Sequence, residues 1–190
     1  MIVILLFAGA WELAAGGWIH AKAWLAEQLI ASAWAQTSRQ GERVVPWPWA
    51  DTWPVARLRV PRLGVSRYVL SGGSGRTLAF GPGWLEGTAL PGGQGTSVIS
   101  GHRDTHFRFL EWLVPGDRII IQTPGAGEVE YAVTDLRIVH ENAGRILEPA
   151  PQRQLSLVTC YPFDAIVPGG LWRYVVIAEA VNGIAERVEI

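Results

Sequence analysis

Cys160 is the single cysteine of this 190-residue chain. It ends the apolar run Leu155-Ser156-Leu157-Val158-Thr159-Cys160, which a turn at Tyr161-Pro162-Phe163-Asp164 closes at once. A run of this kind reads as a strand, and a strand that stops at a thiol puts the sulfur at a rim. A lone cysteine has no internal disulfide partner, so two roles stay open: a small buried hydrophobe, or a reactive nucleophile. His102, in Ser100-Gly101-His102-Arg103-Asp104, follows the short apolar stretch Ser97-Val98-Ile99, and Arg173 opens the run Arg173-Tyr174-Val175-Val176-Ile177-Ala178. A thiol, an imidazole and a guanidinium therefore all fall at strand ends. In such a set a thiolate attacks a carbonyl, a histidine manages protons, and a fixed cation stabilises developing negative charge.

Each of the three has a competing reading. Burial as a small hydrophobe is the usual fate of a free cysteine. His102 is a general acid/base, a structural histidine, or a metal ligand with Asp104 and His106, which alternate with it and would share one face of a strand. Gly101 before this group and Phe107 after it read instead as a loop entering a helix. No Cys-x-x-Cys or Cys/His zinc spacing occurs, so acid/base work ranks above metal binding, and neither a metal nor another cofactor is expected. Arg173 competes with a solvated strand-end arginine, and with Arg103, the cation next to His102.

These segments resemble the sortases, cysteine transpeptidases that act on sorting signals of the Leu-Pro-x-Thr-Gly type. The matching residues are Gly101-His102-Arg103, Leu157-Val158-Thr159-Cys160 and Arg173. The likeness extends to the sortases of Gram-negative proteobacteria through Ala21-Lys22-Ala23-Trp24-Leu25-Ala26, Pro46-Trp47-Pro48-Trp49-Ala50-Asp51-Thr52-Trp53-Pro54, His102-Arg103-Asp104-Thr105-His106-Phe107 and Val158-Thr159-Cys160-Tyr161-Pro162-Phe163-Asp164. It covers nearly the whole chain. One departure is Ser156, where many sortases carry threonine. The resemblance implies Cys160 as nucleophile, His102 as acid/base and Arg173 as oxyanion stabiliser. It also implies cleavage between Thr and Gly, a Cys thioester, and transfer to an amine acceptor that the sequence does not name. The partner it implies is a substrate protein with a C-terminal sorting signal. Rival classes are another cysteine peptidase or acyltransferase, and a non-catalytic, membrane-tethered barrel that binds a peptide. An L,D-transpeptidase is disfavoured because the chain lacks a Ser-His-Gly-Cys arrangement near its thiol.

The elements that must position these residues are mostly strands. Hydrophobic residues make up 49% of the chain and charged residues 17%, which supplies a core with ease. The net charge is −1 without a Lys/Arg run, so nucleic acid is not an expected partner. Strand patterns fall at Val55–Val60, Val65–Leu70, Thr96–Ser100, Asp117–Thr123, Glu128–His140, Gln154–Cys160 and Trp172–Val181. Short helical pieces are expected near Gly75–Phe80 and His106–Leu113. Gly81 to Gly95, with six glycines and two prolines, reads as a loop region. Its functional reading is a peptide groove, and its bland reading is turn chemistry. Many strands with few helices predict a closed barrel that hides its edges. The fold expected is therefore mainly β, an eight-stranded sortase-type barrel over residues 55–190 with short helices, preceded by an N-terminal helix.

Seven of the ten tryptophans, from Trp11 to Trp53, lie in the first 53 residues, a type that favours membrane–water interfaces. Residues 1–19 are apolar apart from Glu12 and are expected to form a membrane-spanning segment of marginal length. A cleaved signal peptide is the rival, but the apolar run has no basic region before it. Residues 20–36 read as an amphipathic helix, with Trp18, Ile19, Leu25, Ala26, Leu29, Ile30 and Ala33 on one face and Glu27 opposite. Residues 37–54 read as a Trp/Pro-rich linker whose tryptophans pack on the domain. Lys22 follows the span, so charge does not support an outward C-terminus. The resemblance implies an inner-membrane protein with its catalytic domain in the periplasm, and a start site placed too late in the sequence would reconcile the two.

Overall fold

The computed structural model describes residues 2–125, 127–142, 150–167 and 169–181. The part of the predicted 55–190 domain beyond residue 181 lies outside them. Eight strands close into a barrel in the order β1-β2-β3-β4-β7-β8-β6-β5. They are β1 (Pro54–Val60), β2 (Val65–Ser71), β3 (Gly83–Trp84), β4 (Thr96–Ser100), β5 (Arg118–Thr123), β6 (Gly127–His140), β7 (Gln154–Tyr161) and β8 (Trp172–Ala180). Two neighbouring pairs, β2/β3 and β4/β7, are parallel, and the others are antiparallel. Alternation drives this arrangement. In β1, Ala56, Leu58 and Val60 are fully buried while Arg57 and Arg59 point outward. Leu58, Ile99, Ile119, Ile121, Tyr131, Leu155, Leu157 and Val176 fill the interior.

Seven of the strands follow the sequence patterns. The eighth, β3, sits inside the segment expected to be loop, because a two-residue strand has no periodicity to show. It exists because Gly83 has no side chain. A Cβ there would lie 2.1 Å from the Gly72 carbonyl oxygen, so only glycine lets the chain come close enough to pair with β2. The two helical expectations shrink to a one-turn helix at Gly75–Leu78 and a 3-10 turn at Arg108–Trp112. Ser74 caps the former by accepting from the Thr77 amide.

The N-terminal part is one continuous helix, α1 (Ile2–Gln40), which ends at Gln40 rather than at residue 36. Nothing breaks it until Gly41, whose φ of 73° ends it, with the Gly41 amide bonded to the Thr37 carbonyl. The buried stripe is Ala26, Ile30, Ala33, Trp34 and Thr37, at helical spacing and laid across the outer face of β1 and β2. Trp34 meets the Tyr68 ring at a centroid distance of 6.0 Å. Trp18 and Leu25, placed on the apolar face by the sequence, are instead exposed. The barrel rather than the helix's own hydrophobicity decides which face is covered, and the stripe it covers starts at Ala26 rather than Trp18 and runs on to Thr37. In the linker, Trp47 stacks edge-on against Phe80, and Arg43 lies over the Trp53 ring. Trp49 is 83% exposed and so does not pack as expected. Among the described residues, no helix is long and apolar enough to cross a membrane.

Because Trp34 is buried between α1 and β2, Trp34→Ala is expected to destabilise the protein by about 3 kcal/mol, read as a lower urea midpoint. An unchanged midpoint would show that α1 rests on the barrel without contributing to its stability.

Candidate active site

Cys160 and Arg173 are direct partners across the antiparallel pair β7/β8. Residues opposite one another on such a pair project from the same face. On β7, Leu155 and Leu157 point into the core, so Cys160 lies on the outer face, and Arg173 lies beside it. The thiol is half-exposed. On the other flank, β4 runs parallel to β7 from Thr96 opposite Gln154 to Ser100 opposite Val158. Gly101 continues that register by side-chain and backbone bonds. Its amide donates to the Val158 carbonyl at 3.1 Å, and its own carbonyl accepts from Thr159 Oγ1 at 2.7 Å. His102 is the next residue, exposed, at the end of β4 that abuts the Cys160 end of β7. Three adjacent strands thus bring the thiol, the imidazole and the guanidinium to one end of the barrel. The turn that follows His102 is tight: a Cβ on Gly101 would lie 2.8 Å from the Phe107 ring, and the Phe107 amide bonds back to the His102 carbonyl.

Arg173 is held by three acceptors. Its Nη2 donates to Glu141 Oε2 at 2.5 Å, and Nη1 donates to the carbonyls of Gly170 and Trp172. A guanidinium has five N–H donors, so among the described residues Nε and one Nη2 proton of Arg173 have no acceptor.

Arg103, the competing cation, does something else. It is 3% exposed and donates to the carbonyls of Pro162 at 2.7 Å and Ala165 at 2.9 Å, while its Nε meets Asp104 Oδ1 at 2.8 Å. Two of its hydrogen bonds hold the turn that follows Cys160, and two go to Asp104. Asp104 balances the charge of this clamp, and the hydrogen bonds from Arg103 hold the Asp104 carboxyl below its usual range. Arg108 adds a second tie, from Nη1 to the Phe163 carbonyl. Beneath the turn, Tyr161, Phe163 and Tyr174 form a cluster with ring centroids 5.1–6.2 Å apart. Burial pushes the Tyr174 phenol up.

The sequence therefore placed His102, Cys160 and Arg173 where the fold brings them together, but it missed Glu141 and the two arginine ties. The carbonyls that Arg103 reaches are 59 and 62 residues away, and a backbone acceptor leaves no mark in a sequence. The metal-type trio is pulled apart: Asp104 faces Arg103, and His106 turns towards α1, where burial lowers its pKa and a hydrogen bond with the Ala79 backbone opposes that shift. Among the described residues no group of three His, Cys, Asp or Glu side chains is placed to hold a metal ion.

A sortase domain model matches residues 58–181. The chain belongs to the sortase family. It is 30% identical over 126 residues to Sortase D of Bacillus subtilis, covering 66% of this chain and 63% of that protein. It is 26% identical over 162 residues to Sortase SrtE1 of Streptomyces coelicolor, covering 75% of this chain and 44% of that protein. The chain thus spans less than two thirds of either relative. Among solved structures, sortase A from Corynebacterium diphtheriae is similar with a TM-score of 0.62 and 28% identity, over 73% of this chain and 65% of that one. Sortase C-1 from Actinomyces oris gives 0.59 and 32%, over 67% and 74%. The sortase domain match begins within β1 and ends just after β8, so it contains every element that positions the site.

Arg103 is a tie between the His102 and Cys160 loops, so Arg103→Ala is expected to lower stability by about 3 kcal/mol, since it leaves buried acceptors unmet. Arg103→Lys should recover little of this, because one ammonium does not reproduce the planar fork that meets three acceptors. Urea denaturation checks both, and full recovery by lysine would show that charge alone matters there.

Proposed function

We propose that this protein is a sortase transpeptidase of the type found in Gram-negative proteobacteria, working as a cysteine peptidase that hands its acyl group to an amine. The observation that carries the reading is the cross-strand pair of Cys160 and Arg173 with His102 ending the strand on the other side of β7. The thiolate of Cys160 attacks the threonine carbonyl of a Leu-Pro-x-Thr-Gly-like signal. The oxyanion that develops meets the free N–H donors of Arg173, which Glu141 and the Gly170 carbonyl hold in place. His102 protonates the departing glycine amine, and a thioester remains on Cys160. An amine then attacks that carbonyl, and His102 takes its proton. The β7–β8 loop that follows Cys160 carries exposed Ile166, Val167 and Leu171, and β8 opens on exposed Trp172; this apolar surface suits the Leu-Pro end of the signal. The resemblance of the Trp/Pro segment and of the flanks of His102 and Cys160 supports the proteobacterial class.

Attachment to the inner membrane through residues 1–19, with the barrel in the periplasm, completes the proposal. Its support is the exposure of Trp11, Trp18 and Trp24 along α1, at 74%, 64% and 64%, since indoles partition to the membrane interface. Fractionation of cells expressing the whole chain or residues 20–190 is expected to find the first with the membrane and the second released. Equal release of both would remove the membrane from the account.

Incubating the enzyme with a sorting-signal peptide, with and without an added amine, tests the reaction. The expected result is cleavage between Thr and Gly and an amide to the amine when it is present. Cys160→Ala should abolish both products while keeping the fold. Arg173→Ala and Arg173→Lys should each slow the reaction by about 10²–10³. Cleavage retained in Cys160→Ala would overturn the mechanism, and a mild Arg173→Ala would remove Arg173 from it.

A further inference from the structure

The barrel spends its arginines on carboxylates. Arg59, Arg62, Arg76, Arg103, Arg108, Arg118, Arg137 and Arg173 each pair with an Asp or Glu. Among the described residues Arg57 and Arg67 form no such pair, and neither do Arg39, Arg43 and Arg153. Arg57, opposite Tyr68, is on the outer face beneath α1 and Arg67 is exposed; both line a groove of about 1040 Å³ between that helix and the β1–β2 pair. Arg57 donates to Ser66 Oγ and lies over the Tyr68 ring, and Arg67 reaches only the Ser66 carbonyl. Lys22, also on the groove, lies over the Trp18 ring. None of the three forms an ion pair among the described residues. Among the described residues Glu27 is the only carboxylate on the lining, against the three cations Lys22, Arg57 and Arg67. Trp24, Tyr68 and Phe80 supply aromatic walls.

The groove has a second property: it adjoins the proposed catalytic histidine. Thr105 and His106 form part of its lining, and they belong to the tight turn that the bond from the Phe107 amide to the His102 carbonyl closes. The loop therefore presents His102 to the Cys160 end of β7 and His106 to the groove. An occupant of the groove meets the turn that carries His102, while His102, Cys160 and Arg173 themselves are not among the described lining residues.

We propose that this groove binds the acceptor, and that the acceptor is an amine carried on an acidic peptide, its carboxylates meeting Arg57, Arg67 and Lys22. The proposal rests on the sortase reading above. In the transfer step the acceptor nitrogen forms a C–N bond to the thioester carbonyl. The C–S bond breaks, its electron pair returns to Cys160 Sγ, and the amine proton passes to His102. Cations without a matching carboxylate favour an anion over a neutral molecule of the same shape.

The test compares Gly-Glu-Glu and Gly-Gln-Gln, two acceptors with the same amine, using the whole chain and one sorting-signal donor. The acidic acceptor is expected to have a KM about tenfold lower at low salt, and the ratio should shrink as salt screens the groove. Arg57→Gln with Arg67→Gln should bring the two KM values together, whereas Arg57→Lys with Arg67→Lys should keep most of the preference. Normal donor cleavage with equal KM values in the unmodified enzyme would overturn the acceptor proposal and leave the sortase reading standing. So would a preference that survives the double glutamine change. Absence of donor cleavage with every amine would overturn both.

Discussion

Parallel pairing of β4 with β7 ties together two strands that are separated by more than fifty residues of chain and share no hairpin. A parallel pair needs a crossover, and here the crossover contains β5 and β6, which fill the far side of the barrel. The register of this one ladder decides whether His102 arrives beside Cys160. It is extended past the last strand residue by Gly101, whose amide and carbonyl are both taken by β7. A slip by one residue would exchange the two faces of the strand and put the residues beyond it out of place.

The buried guanidinium of Arg103 is the counterpart of that ladder on the loop side. It is the residue immediately after His102, and it grips the backbone immediately after Cys160. The two loops are therefore set by one side chain as well as by one ladder. Burying a cation is costly unless every donor is met by an acceptor, and here a carboxylate and two carbonyls meet it. Arg173, the cross-strand partner of Cys160, is fixed in the same manner by Glu141 and the Gly170 carbonyl, so its guanidinium is held before a substrate arrives. Preorganisation of this kind is what makes an oxyanion donor effective.

Much of this was legible in the residues. Strands of five or more residues announced themselves by alternation, and the ends of β4, β7 and β8 could be seen at His102, Cys160 and Arg173. The fold class followed from the count of strands and the scarcity of helices. What stayed hidden has physical reasons. β3 is two residues long and depends on the missing side chain of Gly83, a close approach that no periodicity records. The α1 stripe was misplaced because Trp18, Leu25 and Ala26 are all apolar, and only the barrel surface decides which is covered. Arg103, Arg108 and Glu141 act over long sequence separations, two of them on backbone carbonyls, and a backbone acceptor looks the same at every position.

The central claim is that the sulfur of Cys160, placed between His102 and Arg173, carries the acyl group of the substrate. Rapid acid quenching of the enzyme with a sorting-signal peptide, followed by intact-mass spectrometry and peptide mapping, measures this directly. The account predicts a transient mass increase equal to the peptide fragment that ends at threonine, located on Cys160 and removed by an added amine. Peptide cleavage without any such adduct, or an adduct on another residue, would contradict it.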